Sequence, residues 1–167
     1  LAMPNAQFCV EHFLLDIPTE HGIDKINFLF SANKGTDMKE IRKIASGGEL
    51  SRLMLSIKYL IAKNTVLPSI IFDEIDSGVS GEIAGKVGKM IFGMSENMQV
   101  IAITHLPQIA SKGKSHFAIS KKEYDNKTTT NIKLLTGEER IKEIAQMLSE
   151  GNLTDASMKN AKELMGV

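Results

Sequence analysis

Cysteine is almost missing. Cys9 is the only one in the chain, so no intrachain disulfide can form, and a reducing cytoplasm is the natural compartment. Neither sign of charge is in excess: Lys+Arg and Asp+Glu number 20 each, which leaves no global field to attract DNA or an acidic membrane. That balance neither supports nor excludes a nucleic-acid role, because DNA contacts can be local. No apolar run approaches the ~20 residues needed to span a bilayer. The apolar residues at the start are broken by Pro4, Asn5, Gln7, Glu11 and His12, so no signal peptide is visible. Internal repeats, heptads and low-complexity tracts are absent. So is any Gly-x-x-x-x-Gly-Lys-Ser/Thr string. Gly113-Lys114-Ser115 imitates its end, but Gln108 occupies the first glycine position. The residues before it look helical and a strand should follow, the reverse of a P-loop.

What is present is enough for one domain. At 167 residues, 43% of them hydrophobic and 24% charged, the chain can build a core and stay soluble, within the usual domain size of roughly 100–200 residues. It begins at Leu1 rather than Met, which points to a fragment.

The stretch that organises the rest is Ile70-Ile71-Phe72-Asp73-Glu74-Ile75-Asp76-Ser77-Gly78. A short apolar run bounded by turn formers reads as a fully buried, parallel strand. Ligands of open α/β sheets bind beyond the carboxyl ends of such strands, where Asp73 and Glu74 stand. A Walker B segment has this form, its Asp serving Mg²⁺. A strand end followed by an acidic cap and a turn has it too.

Upstream, Gln7–Ile17, closed by Pro18, and Lys25–Ser31 read as a hairpin around Thr19-Glu20-His21-Gly22. Residues 33–37 form a loop. Ser46 followed by Glu49 matches a capping box, opening a helix to about Lys63 with Leu50, Leu53, Met54, Ile57, Leu60 and Ile61 at helical spacing. Gly47 and Gly48 sit at its start, where backbone N–H groups and the helix dipole favour an anion; an ordinary glycine-rich cap would look the same. Downstream, Ile83 to Met94 form a second helix and Gln99–Thr104 a second buried strand, parallel to the first. His105 follows it and so shares a sheet edge with Asp73 and Glu74. An antiparallel pair (Ser115–Ser120, Thr128–Leu135) and two helices (Glu138–Leu148, Thr154–Met165) close the chain. Lys112, Lys114, Lys121 and Lys122 offer a local basic surface for DNA, although Glu123 and Asp125 interrupt it.

Ser46-Gly47-Gly48-Glu49, then Ile70–Glu74, Asp76-Ser77-Gly78 and Thr104-His105 follow the order of signature motif, Walker B, D-loop and switch histidine. That order resembles the C-terminal half of an ABC-type ATPase head. More narrowly, Ala45–Arg52, Phe72–Gly81 and Thr104-His105-Leu106-Pro107-Gln108-Ile109-Ala110 resemble the RecN family, bacterial SMC-like proteins of DNA double-strand-break repair. The likeness runs from Gly22–Lys43 to the last helix.

The resemblance implies an α/β fold: the C-terminal half of a P-loop NTPase, with a mainly parallel central sheet, flanking helices and antiparallel hairpins. Residues 1–167 would form the C-terminal lobe of the head. Ser46, Gly47, Gly48 and Glu49 would meet ATP held by the second head of a homodimer, and Asp76 would cross the seam between the heads. Asp73 would hold Mg²⁺ through water, Glu74 would orient or deprotonate the attacking water, and His105 would sense the γ-phosphate. The Walker A lysine and the coiled coil would lie in an N-terminal half outside this sequence, so the fragment should not hydrolyse ATP by itself. DNA would be bound by the full-length protein, with no membrane partner. An ABC transporter ATPase subunit and a non-catalytic dimerisation or partner-binding module are the alternatives. Glu49 and the Thr104–Ala110 string stand against the transporter.

Overall fold

A computed structural model describes residues 3–44, 46–65, 67–73, 75–76, 78–124, 127–149 and 151–167. The chain divides into two compact units, Leu1–Ile61 and Ala62–Val167.

In the first unit, β1 (Gln7–Thr19) and β2 (Gly22–Ser31) form an antiparallel hairpin, and β3 (Lys39–Glu40) pairs with the outer edge of β2. The register runs from Gln7 opposite Ser31 to Leu14 opposite Asp24. Both strands exceed the lengths that the sequence pattern implies. Pro18 lies inside β1 rather than ending it. A register shift between Leu14 and Thr19 removes the ladder position at which its missing N–H would matter. Period-two alternation places Phe8, Val10, Ile26 and Phe28 on one face. Only the end of that face is covered: Phe30 packs with Ala32 and Leu53, supported by Met3, Ile41, Ile44 and Ile57. Phe8, Val10, Ile26 and Phe28 remain about half exposed. The helix α1 (Gly47–Asn64) supplies Leu53 and Ile57 to this small core.

The second unit holds the expected parallel pair. The strands β4 (Ser69–Phe72) and β5 (Gln99–Ala102) pair in register from Ser69 opposite Gln99 to Phe72 opposite Ala102. The helix α2 (Gly81–Met94) connects them and buries Ala84, Val87, Gly88, Ile91 and Met94. Gly88 is required by contact: a Cβ there would stand 2.7 Å from the Gln108 carbonyl oxygen, in the four-residue helix α3 (Pro107–Ala110). The expectation of a fully buried strand needs correction. Phe72 is buried, but Ile71 is 62% exposed, and Ile101 and Ile103 on β5 and its extension are exposed as well. The pair has one covered face and one bare one.

A second hairpin, β6 (His116–Tyr124) and β7 (Lys127–Leu135), follows with continuous antiparallel register. It leaves Phe117, Ile119, Ile132 and Leu134 exposed on one face. The chain ends in α4 (Glu138–Leu148) and α5 (Asp155–Met165), both with the bounds their caps and periodicity imply. Thr154 and Ser157 make a reciprocal capping box at the start of α5, and Gly166 closes it in the left-handed conformation at φ 76°. Ile144 and Ala145 of α4 and Ala161 of α5 are fully buried in a cluster with Ala110 of α3 and the neighbouring Met and Leu side chains. Lys112 Nζ donates to the Leu164 carbonyl oxygen at 3.0 Å, tying the end of α3 to the end of α5.

Candidate functional site

Candidate site residues occur in both units. In the first, Ser46 caps α1: its Oγ accepts from the Glu49 N–H at 3.4 Å, and its carbonyl oxygen accepts from the Leu50 N–H at 3.1 Å. This is the cap implied by the Ser-x-x-Glu spacing. Gly47 is exposed, with open space where a Cβ would be. A partly open cavity of about 190 Å³ lies beside the cap, lined by Ser31, Asn33, Asp37, Lys39, Ser46 and Glu49 among others.

In the second unit the parallel register decides the geometry. Phe72 opposite Ala102 puts the next residue of each strand side by side, and the Ile103 N–H donates to the Phe72 carbonyl oxygen at 2.8 Å. Asp73 therefore emerges, exposed, at the sheet edge at which Thr104 and His105 also leave the sheet. Ala45, Glu74 and Ser77, which belong to the motifs read from the sequence, lie outside the described residues.

The Asp76 side chain is buried, 1% exposed, and engaged within its own unit. Its Oδ2 accepts from the Thr104 hydroxyl and from the His105 backbone N–H at 2.7 Å, and it stands 3.1 Å from His105 Nδ1, an ion-pair contact when the ring is protonated. The Asp76 carbonyl oxygen accepts from the Val79 N–H at 3.1 Å, closing the turn in which Gly78 takes φ 72°. Thr104 Oγ1 accepts in turn from the Leu106 N–H at 3.0 Å, directly ahead of Pro107 at the start of α3. Sequence reading missed Thr104 as part of this arrangement. The only local signal is its hydroxyl two residues before Leu106, a common turn device.

Burial opposes ionisation of Asp76, but the hydrogen bonds from Thr104 and His105 and the charge of His105 outweigh it, holding the carboxyl below its ordinary value of 3.8. Because the native value is the lower one, the unfolded chain binds the proton first on acidification. The stabilisation is complete above the ordinary Asp value and is lost as pH falls from about 4 through the native value. Urea midpoints measured between pH 5 and 3 should fall more steeply for the natural chain than for Asp76→Asn, which lacks this titration. Parallel profiles would refute the assignment.

Among the described residues no group of three or more His, Cys, Asp or Glu side chains could enclose a metal ion. A lone strand-end carboxylate is nevertheless what Mg²⁺ uses at phosphate sites, where one or two carboxylates, waters and substrate phosphates complete its shell. Asp73 fits that donor set. Gly113-Lys114-Ser115 is not a phosphate loop: it leads into β6, and the carbonyls of Gly113 and Lys114 accept from Arg140 at 2.5 and 3.2 Å. Of the four lysines in the basic stretch, Lys112 is committed to α5.

No protein-family model matches the chain. It is 47% identical over 165 residues to a protein of Rickettsia prowazekii named DNA repair protein RecN, a match that covers 99% of this chain and 30% of that protein. The chain spans only 26–30% of the length of the first such relatives and corresponds to a C-terminal part of them. Among solved structures, an Smc head domain with coiled coil and joint from Pyrococcus yayanosii superposes with a TM-score of 0.66. That match is 22% identical and covers 86% of this chain and 26% of that one. A chain from structural work on ATP-driven dimerization and DNA-stimulated activation of SMC ATPases gives a TM-score of 0.58 at 23% identity. It covers 88% of this chain and 81% of that one. The fold is thus that of SMC ATPase heads, a P-loop NTPase fold.

Proposed function

From its correspondence, over almost its whole length, to a C-terminal part of RecN proteins, we propose that this chain is the C-terminal lobe of a RecN-type ATPase head. In that role it serves ATP-dependent repair of DNA breaks in the cytoplasm, at the nucleoid. Among its described residues no helix is long and apolar enough to cross a membrane.

The observation that carries this reading is the register of β4 and β5, which brings Asp73 and the Thr104–His105 turn to one sheet edge. The adjacent ends of parallel strands are where an α/β sheet handles a phosphate. Asp73 would hold Mg²⁺, and the ion would supply neutralisation of phosphate charge. Glu74 orients or deprotonates the attacking water, and His105 contacts the γ-phosphate. The cap of α1 serves a different nucleotide. The exposed backbone at Ser46 and Gly47, with Gly48 and Glu49, meets the γ-phosphate of ATP bound to the second head of a homodimer, with helix-dipole help. ATP therefore closes two heads on each other, and hydrolysis separates them. The P-loop lysine that retains the nucleotide is supplied by the N-terminal half of the full-length protein, and DNA is engaged by that whole protein.

The test compares the isolated chain with the same chain joined to the upstream half of its gene. The joined protein should hydrolyse ATP and dimerise with it, and the isolated chain should do neither. A joined protein inert towards ATP would leave a non-catalytic dimerisation or partner-binding module in place of this reading.

A further inference from the structure

Asp76 has no part in the chemistry described so far, yet it is the most deeply committed ionisable group at the site. A carboxylate taken out of water is costly unless its oxygens are hydrogen-bonded. Here one oxygen, Oδ2, takes two donors, the His105 backbone N–H and the Thr104 hydroxyl. The same oxygen stands 3.1 Å from the ring Nδ1 of His105. The His105 side chain is otherwise 78% exposed. An exposed ring has many rotamers, and the buried carboxylate favours those that keep Nδ1 beside it. Nε2 is then the ring nitrogen on the side away from Asp76.

We propose that Asp76 is the positioning residue of His105: the buried carboxylate fixes the backbone of the Thr104–His105 turn and, with Nδ1 beside it, sets the orientation in which Nε2 meets the γ-phosphate. The inference rests on the reading of His105 as the γ-phosphate contact. A protonated ring donates from both nitrogens, so it can stand between a carboxylate and a phosphate oxygen, and that arrangement exists only while Asp76 is in place. The same oxygen also couples two loops. The turn after β4 carries Asp76, and the turn after β5 carries His105, so a displacement of the first reorients the second. Residues of this kind, one step behind the reacting group, commonly change activity by about 10–100-fold when their polar contact is removed.

The experiment uses the full-length protein and measures kcat and KM for ATP in four forms: natural, Asp76→Asn, His105→Ala and the double variant. Asp76→Asn should lower kcat about tenfold with KM changed less than about twofold, since the residue does not touch the nucleotide. In the His105→Ala background the same change should have no further effect on kcat, because a residue acting only through His105 has nothing left to act on. Asp76→Glu, which keeps the charge but moves it by one methylene, should recover part of the loss. An unchanged kcat in Asp76→Asn beside a lowered one in His105→Ala would overturn the inference and leave the site intact. Equal losses in both backgrounds would also overturn it, marking Asp76 as merely structural. If His105→Ala itself left kcat unchanged, the reading of the histidine would fail, and this inference with it. Should Asp76→Asn not fold, Thr104→Val in the same two backgrounds replaces it, with a smaller loss that again vanishes beside His105→Ala.

Discussion

Glu74→Gln in the joined, full-length protein should reduce steady-state ATP hydrolysis by about 10²–10⁴-fold, the usual contribution of a positioned general base. The carboxamide has the shape of the carboxylate and can still hydrogen-bond water, but it has no basicity with which to take a proton. On the proposed reading, nucleotide binding depends on other groups (the upstream P-loop and a metal at Asp73), so ATP should bind with affinity close to that of the natural protein. If hydrolysis is the step that separates the heads, Glu74→Gln should accumulate as an ATP-bound dimer. Phosphate release, nucleotide binding and sedimentation with ATP measure the three effects separately. Retained hydrolysis would move the base to another residue. Lost hydrolysis without the trapped dimer would keep Glu74 as base and remove the link between hydrolysis and head release.

Ile144→Ala is expected to have the largest effect on stability. The side chain is 0% exposed and lies where α4 meets α5, beside the equally buried Ala145 and Ala161. Its buried neighbours Ala145 and Ala161 cannot extend to fill a void, and the partly buried Met and Leu side chains around them can fill it only in part. Truncation of a buried Ile to Ala costs about 2–5 kcal/mol, transfer and cavity together. Ile144→Val, which removes one methyl, should cost about 0.5–1.5 kcal/mol. Urea denaturation followed by circular dichroism should show midpoints falling in the order natural, Val, Ala. A loss under about 1 kcal/mol for Ala would mean that the α4–α5 contact is not a principal part of the core, since losses that small are ordinary for substitutions in general.

Much of this molecule is legible in its residues. The helices α4 and α5 follow from Ile141, Ile144, Ala145 and Leu148 at helical spacing and from Thr154 as a cap, because both signals act within one or two turns of chain. The Ser46–Glu49 cap and the strands on either side of α2 were readable for the same reason, as was the dismissal of Gly113-Lys114-Ser115. The resemblance of Ala45–Arg52, Phe72–Gly81 and Thr104–Ala110 led to the family that the comparisons then returned.

Other features depend on residues that meet only in three dimensions. Asp76 and His105 are 29 positions apart. The register of two parallel strands turns that separation into a hydrogen bond and an ion-pair contact, which bury the Asp76 carboxylate against the Thr104–His105 turn. Pro18 continues β1 because the pairing slips around it, and Gly88 is needed because the α3 backbone lies against it. The continuous apolar runs at β4 and β5 read as strands buried on both faces, yet Ile71 and Ile101 are bare on one. An apolar residue declares that it will be buried if a surface arrives to cover it. Helix periods, caps and turns are written in neighbouring residues and were available in the sequence. Partners across a sheet, and which of its faces is covered, are settled by contacts between distant segments that no local pattern encodes.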